Sequence, residues 1–416
     1  MANLKRVASL ALMSLLLVLG ATACGGGTAP APTAAPSKPA AAPTTAPAAP
    51  AAQPTAAAAP AGGEIPVGMN VSVTGPSAAQ GALFIKAIQL AEKQINDGGG
   101  VNGKKVKVYI EDNQSTNPGA LAALNRAAEQ DKVVAVIGPV MSTQVQAVSD
   151  ADKQLAIPML SGGTAVKNTH MGNPWMFRFR PDDSLSAAAM VQYTKEDLKL
   201  TKIGILHDSD AFGTAGADLV EQYAKDAGLT VVKREKYTTN DKDFTAQLLS
   251  LKNAGTEIMV VYAPHPEDSA IIQRQYTQLG RPYKYIGSAG SAAKDDVDLA
   301  KSSATGLMAV VDYVPGYTDE SKKYVADYKA MFNADIDGMS AWNYDALMIL
   351  ANAMKKVGED KTKIRDALLA TQNYKGACGT FSFSSNGDGL HEVSVAEIQD
   401  GGGLKLLKVV TIKPQP

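Results

Sequence analysis

Short apolar runs alternate along the chain with longer segments of helical periodicity. The clearest case is the stretch 133–164, where the apolar runs 133–137 and 157–160 are each followed by small or hydroxyl-bearing residues. Between them, residues 143–154 place apolar side chains at helical spacing. This pattern predicts a strand, a helix and a second strand, the unit from which parallel sheets are built.

The turns that follow these two predicted strands are the first candidate site. The carboxyl ends of parallel strands share one edge of the sheet, where ligands bind in open α/β folds. Ser142 stands in the first turn, ahead of a helix whose first N–H groups are free for an anion. Gly162, Gly163 and Thr164 stand in the second, where glycines allow close approach to the backbone. The pattern predicts a binding site for a small carboxylate. Alternatively, Ser142 and Thr164 only cap the helices that follow them.

The same alternation extends over most of the sequence. Strands are predicted at 65–73, 106–110, 203–206, 258–262 and 307–311, with helical segments between them. Repeated strand and helix indicates parallel sheets covered on both faces. The last hundred residues differ, because they predict three helices and then antiparallel strands at 393–398 and 404–412. Residues 64–416 suffice for two domains.

The N-terminus has the pattern of a secretory signal. Two basic residues precede an apolar run at 8–23, which is too short to span a membrane comfortably. The run ends at Cys24 in a sequence that resembles a bacterial lipobox, although Ala21 stands where leucine is usual. We therefore expect a signal peptide at 1–23 and acylation of Cys24; the alternative is an accidental cysteine beside an ordinary cleavage site. Residues 24–63, rich in Ala, Pro and Thr, predict a disordered tether.

Charge and hydropathy exclude several classes of partner. The chain has 40 Lys and Arg against 41 Asp and Glu, a net charge of −1, and 6% aromatic residues. It has no basic stripe, so we expect no nucleic-acid partner. Beyond the signal, no apolar run approaches the length of a transmembrane helix. Membrane attachment is therefore expected through the lipid anchor only.

Motifs of catalysis and cofactor binding are weak. Residues 98–104 fit the first seven positions of a P-loop, but Lys105 replaces the required Ser or Thr, and the motif follows a helix instead of a strand. The four histidines lack metal-ligand spacing. His207 and His265 stand at strand ends, where they are candidates for a general acid or base or, alternatively, for ordinary turn residues. No nucleophile accompanies a base, so we expect no enzyme, no catalytic residue, no cofactor and no metal.

A series of short motifs, in order along the chain, resembles one known family. The motifs are Ile65-Pro-Val-Gly68, Thr74-Gly75-Pro76, Gly99-Gly100-Val-Asn-Gly103-Lys104, Glu111-Asp112, Ile137-Gly138-Pro139, His207-Asp208, Phe212-Gly213, Asp243-Phe244, His265-Pro-Glu267 and Tyr344-Asp345-Ala346-Leu347. Together they resemble the leucine/isoleucine/valine-binding family, which comprises extracytoplasmic solute-binding components of ABC transporters. The resemblance covers about 65 to 412.

The resemblance implies a type I periplasmic-binding-protein fold, in which two doubly wound parallel-sheet α/β lobes are joined by a three-crossing hinge. One lobe would hold 64–184 and 313–390, and the other 185–312 and 391–416. The implied function is capture of a small apolar amino acid of branched-chain type, or a related carboxylate, between closing lobes. The protein would then deliver the ligand to an ABC permease. It would act as a monomer, anchored by its lipid to the membrane at the cell surface or in the periplasm. A ligand-sensing receptor component on the same fold is the alternative.

The resemblance also implies individual site residues. Ser142 and Thr164, with the backbone of Gly162 and Gly163, would receive the ligand's carboxylate. The pocket for the ligand's side chain would be lined by Gln80, Met141, Phe212 and Met339. The family's acidic partner of the ligand's α-ammonium falls at Ala289, and a pocket tyrosine falls at Pro264. Either another group, such as Asp182 or Glu267, meets the ammonium, or the ligand has none.

Overall fold

The computed structural model describes residues 62–411, so the expected signal peptide, Cys24 and most of the expected tether lie outside the described residues. The first lobe contains a five-stranded parallel sheet of spatial order β2-β1-β3-β4-β5. The strands are β1 (Glu64–Val71), β2 (Lys105–Asp112), β3 (Val136–Ile137), β4 (Met159–Ser161) and β5 (Met176–Arg178). The helices between them are α1 (Ala78–Asp97), α2 (Asn117–Glu129) and α3 (Ser142–Leu155).

Both faces of this sheet are covered. Ile137 packs into the cluster that contains Phe84 of α1, whereas its neighbour Val136 packs into the cluster that contains Leu124 of α2. Successive residues of a strand point to opposite faces, which explains why this predicted strand is a continuous apolar run. The regular strand is shorter than the predicted 133–137. The predicted residues that precede β3 nevertheless bond to β1, since the N–H of Gly68 donates to Ala135 O at 2.9 Å.

The second lobe repeats the arrangement. Its parallel strands are β6 (Lys202–Asp208), β7 (Thr230–Tyr237), β8 (Ile258–Tyr262), β9 (Lys284–Gly287) and β10 (Met308–Val311). Its helices are α4 (Asp183–Glu196), α5 (Ala211–Asp226), α6 (Thr245–Asn253), α7 (Pro266–Gln278) and α8 (Lys294–Ala300). Two hydrophobic clusters, one on each face, enclose this sheet.

The chain then returns to the first lobe and leaves it again. Helices α9 (Asp319–Phe332), α10 (Ala341–Val357) and α11 (Lys361–Leu369) follow, with α9 and α10 packed on α1, and then the short pair β11 (Tyr374–Lys375) and β12 (Thr380–Phe381). Finally β13 (Glu392–Ile398) and β14 (Leu404–Thr411) join the second sheet, whose order is β14-β13-β10-β9-β8-β6-β7.

The last two strands are antiparallel, which confirms the prediction for this region and makes the second sheet mixed. Their short connection permits only antiparallel pairing, because a parallel pair needs a crossover of a dozen or more residues. The predicted two-lobed α/β fold is confirmed. No helix within residues 62–411 is long and apolar enough to cross a membrane.

Candidate functional site

A cavity with a free volume of about 50 Å³ lies between the two lobes, at the carboxyl ends of both sets of parallel strands. Both lobes and the segments that connect them contribute side chains. The lining residues are Gln80, Val140, Met141, Ser142, Thr164, Arg180, Asp183, Ser186, Asp210, Phe212, Ala263, Pro264, Ser288, Ala289, Gly290, Asp312 and Met339. The predicted residues Gln80, Met141, Ser142, Thr164, Phe212, Ala289 and Met339 are therefore brought together here.

Ser142 joins the two turns identified from the sequence. It is the first residue of α3 and is only 4% exposed. Its Oγ accepts a hydrogen bond from the N–H of Ala165 at 3.1 Å, so its own hydroxyl proton remains available to a ligand. The first hydrogen bond of α3 runs from Val145 N to Met141 O, which leaves the preceding N–H groups without a partner in the helix. This end of the cavity favours an anion.

Ser142 and Thr164 differ from ordinary helix caps. Met141 is the residue that precedes the first turn of α3, and Ala165 precedes the short 3₁₀ turn at Val166–Thr169. Thr164 lies at the cavity wall instead, and its backbone oxygen accepts from the N–H of Asp183 at 2.8 Å. Both residues line the cavity, and the Thr164 side chain donates a hydrogen bond to the carboxyl of Asp183.

Gly162 and Gly163 are not among the lining residues of the described range 62–411. The N–H of Gly162 donates to Pro139 O at 3.1 Å, and its oxygen accepts from Arg180 Nη1 at 3.1 Å. The N–H and the oxygen of Gly162 thus already have partners within the protein, and a role of this backbone in receiving the ligand stays a prediction. A Cβ at Gly162 would lie 2.5 Å from Cζ2 of Trp342. Both glycines serve close packing, Gly163 against Asn168 and Val145.

The acidic groups at the cavity are not the expected ones. Asp182 accepts from the N–H of Leu185 at 3.0 Å as the cap of α4, and Glu267 is exposed, 3.6 Å from Lys242 Nζ. Neither lines the cavity as formed by residues 62–411. Asp183 and Asp210 line it instead, beside Ala289 and Pro264, which carry no charge.

Asp183 is buried at the start of α4, and its Oδ2 has no hydrogen-bond partner among residues 62–411. The pKa of this carboxyl is raised to about 7. Burial is the largest cause and Asp182 adds to it, whereas a hydrogen bond from the Thr164 side chain and the charges of Arg178 and Arg180 act to lower it. A buried carboxyl with one oxygen left without a hydrogen bond at a cavity wall is a position where a ligand's cationic group would be stabilised.

The other buried charges at the cavity are already paired. Arg180 Nε lies 2.6 Å from Asp312 Oδ2, and Nη2 lies 3.2 Å from Oδ1. Burial raises the pKa of Asp312, while Arg180 lowers it. The guanidinium charge is thus offset by its own partner, which leaves Asp183 and Asp210 as excess acidic groups at the wall.

The two histidines considered from the sequence lie outside the cavity lining of the described chain. His207 Nε2 accepts from Arg234 Nε at 2.9 Å, and its Nδ1 is 2.6 Å from Asp208 O. Both ring nitrogens therefore contact groups of the protein at the end of β6. Burial lowers the pKa of His207. His265 is the residue preceding α7. Within residues 62–411, no group of three or more His, Cys, Asp or Glu side chains is placed to hold a metal.

Comparison with known proteins agrees with this geometry. The chain is 29% identical to the leucine-, isoleucine-, valine-, threonine- and alanine-binding protein of Pseudomonas aeruginosa, over 76% of this chain and 84% of that protein. It is 27% identical to Leu/Ile/Val-binding protein homolog 1 of Brucella suis, over 78% of this chain and 87% of that protein.

Solved structures share the fold. The isoleucine complex of the branched-chain amino acid transporter substrate-binding protein LivJ from Streptococcus pneumoniae superposes with a TM-score of 0.77 at 24% identity, covering 84% of this chain and 100% of that one. A benzoate complex of an ABC transporter solute-binding protein from R. palustris gives 0.76 at 18% identity, covering 84% and 96%. The family described as periplasmic binding protein matches residues 64–403, and the chain therefore belongs to that family.

Proposed function

We propose that this protein is the extracytoplasmic solute-binding component of an ABC importer, that it is not an enzyme, and that it binds a small amino acid between its lobes. The observation that carries the proposal is the cavity itself. One wall presents Ser142 and the first turn of α3, and another presents the buried carboxyl of Asp183, whose Oδ2 has no hydrogen-bond partner among residues 62–411. Relatives named for leucine, isoleucine and valine support the ligand class.

The two walls suit the two charged ends of an amino acid. The hydroxyl of Ser142 and the free N–H groups of α3 would bind the carboxylate through charge-assisted hydrogen bonds. The α-ammonium would then meet Asp183, with Thr164 beside it. A carboxylate without an amine would leave Asp183 unpaired. We therefore favour an amino acid over the amine-free acid that the sequence left open.

Ligand capture would proceed by closure of the lobes. A ligand that contacts both walls binds the closed state more tightly and shifts the population toward it. We propose that the lobes comprise 64–184 with 313–390, and 185–312 with 391–416. Three connections between the sheets, from β5 to α4, β10 to α9 and β12 to β13, support a three-part hinge.

We further propose that Cys24 is acylated after removal of residues 1–23, and that residues 24–63 tether a monomeric binding domain to the membrane. The position of Cys24 after the apolar run supports this proposal. Incorporation of labelled fatty acid should occur in the wild type and be lost in Cys24→Ala. Equal labelling of the two proteins would exclude the anchor.

Calorimetry with alanine, valine, leucine and threonine tests the proposed binding function. At least one should bind, and at a hundredfold excess over its Kd it should stabilise the fold by about 2.7 kcal/mol. Small-angle scattering with the same ligand should show a smaller radius of gyration. Failure of every amino acid to bind the folded protein would contradict the proposed function, and binding without compaction would contradict lobe closure.

A further inference from the structure

The wall that the second lobe contributes carries more hydrogen-bonding capacity than an apolar amino acid can use. It presents Ser186, Asp210 and Ser288. We propose that the side chain of the ligand ends in a hydrogen-bond donor, a hydroxyl or an amine, which Ser288 and Asp210 receive. This inference rests on the proposed function and departs from the leucine, isoleucine and valine named for its relatives, although the threonine named for one relative fits it.

Ser288 supplies the first observation. It follows β9 directly, is 2% exposed, and its Oγ has no hydrogen-bond partner among residues 62–411. Its backbone is fixed, because its N–H donates to Val261 O at 2.8 Å. A buried hydroxyl without a hydrogen-bond partner lowers the stability of the state that contains it. An apolar ligand would leave Ser288 Oγ in that state on closure, whereas a polar group would pair with it.

Asp210 supplies the second observation. As the cap of α5, its Oδ1 accepts from the N–H of Gly213 at 2.7 Å, and the backbone of Phe212 also bonds to this carboxyl. An ionised carboxylate has about four acceptor sites, so capacity remains toward the cavity. Burial raises the pKa of Asp210, Asp208 raises it too, and His265 lowers it.

The sheet order places these two groups on either side of one position. Asp210 follows β6 and Ser288 follows β9, and β8 lies between these strands. Two strand spacings separate their backbones by about 10 Å, a distance that their side chains and one ligand group can bridge. At the position between them, after β8, the cavity is lined by Ala263, whose side chain is small.

The donor position is distinct from the ammonium position. Asp183 and Ser186 are three residues apart on α4, so they lie on the same helical face, one turn apart. Asp183 lies beside Thr164 of the first lobe, whereas Asp210 begins α5. Because Asp183, Asp210 and Ser288 line the same cavity, a ligand with its ammonium at Asp183 can place a second polar group at Asp210 and Ser288.

Ligand pairs that differ only in the terminal group test this inference. Threonine and valine form one pair, and ornithine and norleucine form the other. By calorimetry on the full binding domain, the donor-bearing member of at least one pair should bind about tenfold or more tightly, the equivalent of at least about 1.4 kcal/mol. The first pair tests a hydroxyl and the second an amine, so the result identifies which donor the wall accepts.

Two variants locate the effect. Ser288→Ala should remove the preference for the donor without lowering the stability of the ligand-free protein, since it deletes an unpaired buried hydroxyl. Asp210→Asn should weaken binding of the donor ligand while the helix stays capped, because Asn caps as well as Asp. Ser302→Ala, at an exposed serine, is the matched control and should change neither property.

The outcomes separate this inference from the proposed function. If valine and norleucine bind as tightly as threonine and ornithine, or if Ser288→Ala keeps the full preference, the inference is overturned while the binding function stands. If the folded protein binds none of the four, nor alanine or leucine, the proposed function is overturned and the inference with it. Loss of preference in Ser288→Ala at unchanged stability supports the inference.

Discussion

Arg180 and Asp312 form a bidentate ion pair at the base of the cavity, with Nε–Oδ2 and Nη2–Oδ1 distances of 2.6 and 3.2 Å. Arg180 follows β5 and Asp312 follows β10, so the pair joins the first two connections between the lobes. The same guanidinium donates to Gly162 O at 3.1 Å. The hinge and the turn after β4 are therefore held by one buried side chain.

Removing one partner of this pair should be costly. Asp312→Ala leaves the Arg180 guanidinium buried without its counter-charge, and we expect a loss of about 3–5 kcal/mol in the free energy of unfolding. Urea denaturation of the ligand-free protein measures it. Asp319→Ala is the control, because the pair between Asp319 and Lys322 is exposed and should contribute little. Similar losses of unfolding free energy in both variants would show that the buried pair contributes no more to stability than the exposed one.

Ser142→Ala tests the proposed carboxylate seat. The variant loses a hydroxyl that would donate to an ionised group, a bond that contributes about 1.5–3 kcal/mol. The Kd for the best amino-acid ligand should therefore rise about ten- to a hundredfold in calorimetry. Thr143→Ala, at the next residue of α3 and outside the lining, should bind like the wild type. An unchanged Kd in Ser142→Ala would place the carboxylate elsewhere.

Asp183 predicts the pH dependence of binding. Its pKa is raised to about 7 by burial, so below that pH the free protein carries the carboxyl protonated. An ammonium ligand favours the ionised form and releases the proton. Affinity should thus rise about tenfold per pH unit up to pH 7 and then level off. The charged groups near this carboxyl that also shift its pKa are Asp182, which raises it, and Arg178 and Arg180, which lower it.

Calorimetry between about pH 5 and 8 measures this slope, and Asp183→Asn should abolish it. The 2-keto acid of the same amino acid is the control ligand. It has no ammonium, and its negative charge disfavours ionisation of Asp183, so any binding should weaken as the pH rises through 7. The same slope for both ligands, or an unchanged slope in Asp183→Asn, would show that Asp183 does not meet the ammonium.

Gly162→Ala should destabilise the protein without adding or removing any charge. The new Cβ would lie 2.5 Å from Cζ2 of Trp342, a buried ring of α10, and overpacking of this kind costs about 1–3 kcal/mol. Gly63→Ala is the matched control, since a Cβ there meets nothing within 4 Å. Equal thermal stability of the two variants would mean that α10 shifts readily to accommodate the methyl group.

The strand and helix pattern was accessible from the sequence because it depends on local periodicity. Predicted residues 143–154 became α3 (Ser142–Leu155), and the predicted antiparallel pair became β13 and β14. Ser142 and Thr164 were identified for the same reason, since each follows a strand and the carboxyl ends of parallel strands meet at one edge. The family motifs extended this reasoning to Gln80, Phe212 and Met339, which all line the cavity.

The charged wall of the cavity could not be predicted in this way. Asp182 and Asp183 are neighbours with the same chemistry, and only the rotation of α4 in the fold decides that Asp182 caps the helix while Asp183 faces the cavity. The role of Gly162 could not be predicted from local sequence either. A side chain there would collide with Trp342, a residue 180 positions later in the chain.

The alternating α/β pattern and the edge where the turns meet follow from the sequence alone, because each rests on spacing between near neighbours, and the family follows from the resemblance of its short motifs. The tertiary structure decided which polar groups lose their hydrogen bonds at that edge. Asp183 Oδ2 and Ser288 Oγ are unpaired because elements distant in sequence bury them without offering a donor or an acceptor within residues 62–411. Burial and pairing depend on the packing of the whole lobe, and no local pattern encodes them.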